Sequence, residues 1–438
     1  MSFPRYPKYK DSGVEWLGEV PEHWEVIPKL KDIASFSGGG TPSRENLTYW
    51  GGDIPWVSPK DMKTERIINA EESITEEGLR NSASSLLSRD CVVMVVRSGI
   101  LKHTIPVAIN ETRVALNQDM KALHFNGRCS SRFFLRWVQG LNDRLLLVWA
   151  KQGATVESIE QGYLSNTAIP LPPLSEQTGI VAFLDRETAK IDELVAEQRR
   201  LIELLKEKRQ AVISHAVTKG LNPQAKMKDS GIDWLGEIPE DWAIQRLSNV
   251  CSFQSGKAHE PFIEDEGDFI CVNSRFVSTD GETRKRCSKN LSPAQRNDIL
   301  MVMSDLPNGR ALAKAFFVDD DGPYAVNQRV CILSARTASP RFLYYQLNRN
   351  RLFLQRDDGI NQTHLPNEAF TKFPTLVPPI PQQIAIAAFL DCETGKFDTL
   401  TAEAQRAIDL LQERRTALIS AAVTGQVDVR PLAEKQAA

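Results

Sequence analysis

Lys10-Asp-Ser-Gly-Val-Glu-Trp-Leu-Gly-Glu-Val-Pro-Glu-His-Trp24 is repeated, 218 positions later, as Lys228-Asp-Ser-Gly-Ile-Asp-Trp-Leu-Gly-Glu-Ile-Pro-Glu-Asp-Trp242. A second block repeats further along. Leu171-Pro-Pro-Leu returns as Val377-Pro-Pro-Ile, and Ala182-Phe-Leu-Asp-Arg-Glu-Thr188 returns as Ala388-Phe-Leu-Asp-Cys-Glu-Thr394, at an offset of 206. The matching blocks bracket two middles that barely match. The pattern reads as one scaffold used twice to present two different surfaces.

The block behind the prolines decides the architecture. From Ser175 to about Thr218 there is no Pro, and after Gly179 no Gly until Gly220. Leu184, Ile191, Gln198, Leu205 and Val212 recur every seven residues, with Leu194 and Leu201 at the intervening offset of three. Leu390, Phe397, Ala404, Leu411 and Leu418, with Leu400 and Ala407, repeat the pattern. Such heptads predict long helices with one apolar seam. The proline pairs before them are tolerated ahead of a first turn and not inside a helix. A helix of about 40 residues is roughly 60 Å long, and its stripe needs a partner. The repeat itself is the nearest one, so the expectation is an intramolecular antiparallel coiled coil carrying the two middles at its opposite ends.

The middles read as α+β. Asp90-Cys-Val-Val-Met-Val-Val96 is a buried-strand run, Thr104–Ile109 and Val114–Leu116 read as further strands, and Arg132–Gln139 as an amphipathic helix. Asp298–Met303, Ala325–Gln328 and Arg341–Gln346 follow in the same order. Two similar globular domains of mixed α and β structure are expected, at 31–170 and 248–376. The rest divides into an N-terminal segment at 1–30, a helix at 171–225, the repeated segment at 226–247, a second helix at 377–427 and a tail at 428–438. Trp16, Trp24, Trp234 and Trp242 are read as docking anchors of the short repeated segment.

Composition excludes more than it selects. The 438 residues are 42% hydrophobic and 25% charged, with a net charge of −3. No apolar run reaches 18 residues and no signal-peptide core is visible, so a cytoplasmic chain without membrane association is expected. Seven scattered cysteines without a C-x-x-C pair read as reduced, buried thiols. Six dispersed histidines form no metal-ligand pair, and neither a P-loop nor the Asn/Asp-Pro-Pro-aromatic motif of an amino-methyltransferase is present. No catalytic residue, cofactor site or metal site is assigned. The middles are nearly balanced in charge, with 17 Lys+Arg against 16 Asp+Glu at 25–170 and 16 against 15 at 248–376. Any phosphate-binding surface therefore comes from placement.

Nucleic-acid contact candidates lie in both middles. In the first they are Thr41, Ser43, Arg44 and Lys60, then Arg97 and Lys102 on a turn after the buried strand. Trp50 and Trp56 between them read as core, and the polar residues around them either as contacts or as a solvated loop. The second offers Asn273, Arg275, the cluster Arg284, Lys285 and Arg286, and then Asn308, Arg310, Gln328 and Arg329. Arg clasps guanine, and Asn or Gln clasps adenine, through paired hydrogen bonds in the major groove.

The layout resembles the specificity subunit of type I restriction-modification systems over nearly the whole chain. The resemblance rests on the repeated Lys-Asp-Ser-Gly block, Pro170-Leu-Pro-Pro-Leu-Ser-Glu-Gln177 with Pro378-Pro-Ile-Pro-Gln-Gln383, the two Phe-Leu-Asp-x-Glu-Thr helix starts, and Tyr49-Trp-x-x-x-Ile-Pro-Trp56. The second middle lacks the last of these, so contacts cannot be transferred to it from the first. The resemblance implies a non-catalytic subunit whose two target recognition domains read the halves of a bipartite double-stranded DNA site. It implies two modification subunits that methylate adenine and a motor-nuclease restriction subunit, with S-adenosylmethionine, ATP and Mg on those partners. The alternatives are a stand-alone two-domain DNA-binding regulator or architectural protein, and a coiled-coil scaffold with no DNA role.

Overall fold

A computed structural model describes residues 3–151, 156–232, 235–305, 311–354 and 363–431. Two compact units emerge, one made of 1–199 with 406–438, the other of 200–405. Trp234 lies outside the described residues.

The first unit holds strands β1 (Ala34–Gly38), β2 (Trp50–Val57), β3 (Arg66–Ile67), β4 (Glu72–Ile74), β5 (Val92–Val95), β6 (Val107–Asn110), β7 (Ala115–Leu116) and β8 (Met120–Phe125), then helices α1 (Ser131–Gly140) and the start of α2 (Leu174–Lys219). One sheet runs β1-β8-β5-β6-β3, and a smaller one β7-β2-β4. All four side chains of the Val-Val-Met-Val run in β5 are fully buried. An apolar run without alternation is what a strand covered on both faces requires. Phe133, Phe134, Trp137 and Val138 of α1 are buried, and the helix packs against β6. The strand expected over Thr104–Ile109 starts only at Val107, because Pro106 has no N–H to give a ladder. Glu25–Ile27 pairs antiparallel with Ile169–Leu171, which closes the segment between them at its root.

The second unit repeats this plan with β9 (Cys251–Ser255), β10 (Phe269–Val272), β11 (Lys285–Cys287), β12 (Ile299–Val302), β13 (Ala315–Phe317), β14 (Tyr324–Val326), β15 (Val330–Ala335), α3 (Pro340–Leu347) and α4 (Ile380–Val423). Its sheets run β9-β15-β12-β13 and β11-β10-β14. Strand for strand this is the first unit's order without β3. Ala243–Arg246 with Pro374–Val377 forms the root. The cysteines are all free thiols. Six are buried as expected, whereas Cys392 is exposed, because its position on α4 faces outward.

The repeated Lys-Asp-Ser-Gly block folds as a small hairpin clasp, Tyr9–Asp11 with Glu19–Pro21 and Met227–Asp229 with Glu237–Pro239. Trp24 and Trp242 are fully buried, and Trp16 is half-buried beside Trp137. In the first unit the Trp24 indole and the Tyr6 hydroxyl both donate to the buried Glu176 carboxylate, at 3.0 Å for the indole. Burial and that carboxylate push the Tyr6 phenol far above its ordinary range. In the second unit Trp242 donates to Gln382 at 2.8 Å. The clasp also receives the end of the other repeat's helix. Gly425, at φ +79°, closes α4 in the first unit, where an added Cβ would lie 2.3 Å from the Pro21 ring and 3.3 Å from the Trp24 indole. Gly220, at φ +74°, closes α2 in the second unit against Trp242. A left-handed residue that must also pass an indole favours glycine.

Both units therefore contain an antiparallel helix pair, an early stretch of one long helix beside a late stretch of the other. Arg415 binds Asp192 at 2.9 Å in the first unit, and Arg209 meets Asp398 at 3.5 Å in the second. These are the same ion pair made twice, at positions 206 apart, and the position numbers of each pair add to the same total. In the first unit α1 passes α4 so closely that a Cβ on Gly140 would lie 2.8 Å from the Ser420 nitrogen. Ile213, Ala216 and Val217 share a buried cluster with Ile386, Ala387 and Leu390 in the second.

The seam is not the one the heptads suggested. Leu184, Ile191 and Leu205 are buried as expected, but Leu194 and Leu201 are 45% and 42% exposed, while Val195 and Ile202 are 8% exposed. In α4, Leu390, Phe397, Ala404 and Leu418 are buried, whereas Leu400 is 46% exposed and Ile408 lies inside. The intervening core position falls four residues after the heptad series, not three. In α2 apolar residues occupy both candidate positions, Leu194 with Val195 and Leu201 with Ile202, and only the side from which the partner helix approaches distinguishes them. Ile202→Ala is expected to destabilise the protein by about 2–4 kcal/mol, and Leu201→Ala by no more than about 0.5 kcal/mol. Denaturant unfolding of the full chain checks this; equal losses would return the seam to the exposed leucines.

Candidate nucleic-acid interface

Where β2 and β7 run parallel, with Trp56 opposite Ala115 and Val57 opposite Leu116, both chains leave the sheet at one edge. Asn117 donates its N–H to the Val57 carbonyl at 2.9 Å, which sets the turn Asn117-Gln118-Asp119 beside Ser58-Pro59-Lys60. The buried Asn117 holds this turn through Oδ1, which accepts from the Asp119 N–H at 2.9 Å. Ser58 and Asp61 cap the short helix Pro59–Asp61 reciprocally, leaving Lys60 exposed. The Asp119 carbonyl accepts from the N–H groups of Val96 and Arg97 at 2.8 and 3.3 Å, so the loop after β5 joins the same edge.

The loop after β1 crosses over this turn. Gly40 donates to the Leu116 carbonyl at 2.9 Å. A Cβ on Gly39 would lie 2.0 Å from the Asn117 carbonyl oxygen, so no other residue fits there. The crossing brings Thr41 to Gln118, whose side-chain oxygen accepts the threonine hydroxyl. Thr41 thus meets Gln118, and the loops that carry Lys60 and Arg97 leave the sheet at the same edge. Lys102 ends the short helix Gly99–Lys102 and stands 3.5 Å from Glu157.

Ser43 and Arg44 serve the adjoining loop. The Ser43 carbonyl accepts the Trp50 indole N–H at 3.1 Å. Arg44 lies over the Trp50 ring at 3.9 Å and makes a two-pronged ion pair with Glu72. The hydrogen bond from Arg44 holds the Glu72 carboxyl below the usual range. Trp56 is core, with its indole N–H donated to the Gly40 carbonyl at 2.9 Å, and Trp50 is half-buried against it. The tryptophans therefore support the loop, and Arg44 is already engaged by a carboxylate and two rings.

The second domain builds the same edge. Val272 opposes Val326, and Asn327 donates to the Val272 carbonyl at 3.0 Å. Lys257 donates to the Val326 carbonyl at 3.0 Å, in the place of Gly40. A Cβ on Gly256 would lie 2.2 Å from the Asn327 carbonyl oxygen, in the place of Gly39. Met303 and Ser304 donate to the Arg329 carbonyl at 2.9 and 3.4 Å, as Val96 and Arg97 do to Asp119. Asn273 takes the position of Ser58, and its side chain caps the short helix Ser274–Ser278, leaving Arg275 exposed. Gln328 and Arg329 stand exposed where Gln118 and Asp119 stand in the first domain.

The basic cluster divides. Lys285 sits on β11 opposite Cys271, the register that Glu72 occupies opposite Trp56. Arg284 and Arg286 are both exposed, but their Nε–H groups are donated to the carbonyls of Gly281 and Gly267 at 2.9 and 2.6 Å. Asn308 and Arg310 lie outside the described residues. Lys60, Arg97, Arg275, Lys285 and Arg329 make no side-chain ion pair among the described residues and are exposed, which leaves them available to phosphates. Gln118 and Lys257 were missed by sequence reasoning. For Gln118 the signal was present in the parallel between Ala115-Leu-Asn-Gln118 and Ala325-Val-Asn-Gln328. Among the described residues no group of three or more His, Cys, Asp or Glu could hold a metal ion.

Comparison with known proteins fits the internal repeat. The family model for the type I restriction modification DNA specificity domain matches residues 21–204 and again 239–408. The chain is 33% identical over 206 residues to the type I restriction enzyme EcoR124I/EcoR124II specificity subunit of Escherichia coli, covering 47% of this chain and 50% of that protein. This match therefore spans about half the length of the curated relative. Over 431 residues it is 23% identical to the type I restriction enzyme MjaVIII specificity subunit of Methanocaldococcus jannaschii, covering 94% and 95% of the two chains. Among solved structures, one reported for the assembly and conformational transition of the type I R-M system matches with a TM-score of 0.72 at 15% identity, over 93% of this chain and 99% of the other. The HsdS subunit from Thermoanaerobacter tengcongensis matches with a TM-score of 0.50 at 16% identity, over 93% and 98%. At such identities these two matches speak for the fold.

The crossing glycines give a direct test of the edge. Gly39→Ala and Gly256→Ala are each expected to destabilise their domain by about 1–3 kcal/mol through backbone overlap. Gly38→Ala, where an added Cβ meets nothing within 4 Å, should stay within about 0.5 kcal/mol of the parent. Denaturant unfolding compares the three.

Proposed function

The chain belongs to the family of type I restriction-modification DNA specificity proteins, and we propose that it is the target-reading subunit of such a complex. Each recognition domain reads one half of a bipartite duplex DNA site. Methylation of adenine and cleavage of unmodified DNA belong to the modification and restriction subunits, which carry S-adenosylmethionine, ATP and Mg. The protein works on DNA in the cytoplasm and is itself a recognition subunit.

The observation that carries this reading is the loop edge built twice on one backbone frame with different side chains. A frame fixed by buried Asn residues and obligatory glycines positions the loops, and the variable side chains on them supply base contacts. Exposed Lys60, Arg97, Arg275 and Arg329 supply charge for phosphates in a chain whose overall charge is −3. The long helices have a second role. Leu194, Leu201, Leu204, Leu400 and Leu410 are 42–58% exposed on them. We assign these exposed leucines, Leu194 and Leu410 in the first unit and Leu201, Leu204 and Leu400 in the second, to docking of the modification subunits.

Co-expression with the modification subunit, followed by mapping of methylated adenines in the host genome, tests the proposal. A bipartite motif with a fixed gap is expected; a stable complex that methylates no such motif would refute the assignment. Charge on the docking face separates docking from folding. Leu194→Asp with Leu201→Asp should leave the unfolding midpoint nearly unchanged and abolish co-purification with the modification subunit. Retained co-purification would remove these leucines from the docking face.

A further inference from the structure

The two domains diverge over most of their length, yet one exposed polar residue stands at the same structural position in both. Gln118 and Gln328 each follow a buried Asn whose N–H is bonded to the end of the neighbouring parallel strand. Each lies beneath a glycine that approaches the Asn carbonyl closely enough to exclude any side chain. Each precedes a residue whose carbonyl accepts two N–H groups from the loop after the central strand. The burial pattern is shared as well, with four buried residues followed by the exposed glutamine.

The neighbours of Gln118 and Gln328 have evident structural duties. Asn117 holds its turn by accepting the Asp119 N–H, and Asn327 Oδ1 accepts the Gln328 N–H at 2.6 Å. The Gln328 carboxamide makes no hydrogen bond among the described residues, so folding of the second domain does not explain it. In the first domain Thr41 donates to the Gln118 carboxamide and orients it; Ala258 follows Lys257 where Thr41 follows Gly40 and cannot do so. Exposed cations stand on the glutamine turns or the loops bonded to them: Lys60 and Arg97 in the first domain, Arg275 and Arg329 in the second. A carboxamide offers one donor group and one acceptor side by side, the pattern that pairs with the N6 and N7 edge of adenine in the major groove.

We propose that Gln118 and Gln328 are equivalent base-reading residues, each contacting the corresponding position of its own half-site. The surroundings supply the difference between half-sites. Asp119 in one domain is matched by Arg329 in the other, and Glu72 by Lys285, so the positions beside the glutamine contact present opposite charge. The proposal rests on the reading of the chain as a DNA specificity subunit.

The test uses the full chain assembled with its modification subunit, and genome-wide mapping of methylated adenine for the parent, Gln118→Ala and Gln328→Ala. Gln118→Ala should reduce discrimination roughly ten- to hundredfold at one base position of one half-site and leave the other half-site intact. Gln328→Ala should relax the position related by the pseudo-symmetry in the other half-site. Gln118→Glu keeps the size and the acceptor but removes the donor, so it should shift the preferred base rather than merely relax it; this variant also covers the case in which an alanine variant folds poorly. An unchanged motif in all variants would overturn the proposal, as would uniformly weaker methylation without a change of motif, or loss of discrimination in both half-sites from one substitution. If the parent complex yields no bipartite motif, the underlying reading fails instead of the glutamine assignment.

Discussion

The apolar stripe on each long helix is the constraint on which the rest of the structure depends. A helix of 46 residues such as α2 exposes more hydrophobic surface than its own domain covers. In each unit the deficit is met by the other repeat's helix, packed antiparallel and locked by the same aspartate–arginine pair. The surface ion pairs contribute little energy themselves; their value is in register. A slip of one residue would rotate Val195 or Ile202 out of the seam and leave an apolar gap. Each helix then ends on a left-handed glycine against the clasp tryptophan of the opposite repeat. The duplication is therefore interlocked, since neither unit is complete without a stretch of the other helix.

Within each recognition domain a second constraint separates what must stay from what can vary. The parallel strand pairs, the buried Asn, and the crossing glycine, on which a Cβ would lie 2.0 or 2.2 Å from the Asn carbonyl oxygen, form one backbone frame. These contacts are main-chain or buried, so they tolerate little change. The residues that the frame projects outward carry no such burden. Thr41 can become Ala258, Asp119 can become Arg329, and Glu72 can become Lys285 without disturbing the fold. This arrangement lets binding preference change quickly on a scaffold that does not.

Sequence reasoning recovered the parts of this that have a period or a repeat. The duplicated blocks gave the two halves, the β-branched run at Asp90–Val96 gave a central strand, and proline-started heptads gave the helices. The seam was misphased because Leu194 and Val195 are both apolar, as are Leu201 and Ile202, and the choice between them belongs to the partner helix. Arg44 looked like a free base-contacting arginine because its acid, Glu72, lies 28 residues away across the smaller sheet. Gln118 was passed over because a single surface glutamine carries no pattern; its meaning comes from superposing two hydrogen-bonded frames. Long-range pairing of that kind is invisible to periodicity, which reports only on local geometry.

The inversion at one register position shows how far side-chain exchange can go. Opposite Trp56, Glu72 restrains Arg44 and the loop that carries Thr41. Opposite Cys271, Lys285 has no arginine to hold, and the small thiol replaces an indole beneath it. The first domain thus spends an acid, a base and two aromatic rings on stiffening one loop, whereas the second presents a cation directly from its sheet. A stiffened loop suits contacts that require fixed geometry, such as paired hydrogen bonds to a base edge. A cation on a strand suits phosphate contacts, which depend on charge more than on orientation. The two domains are therefore expected to divide their binding free energy differently between base reading and backbone attraction, although one frame underlies both.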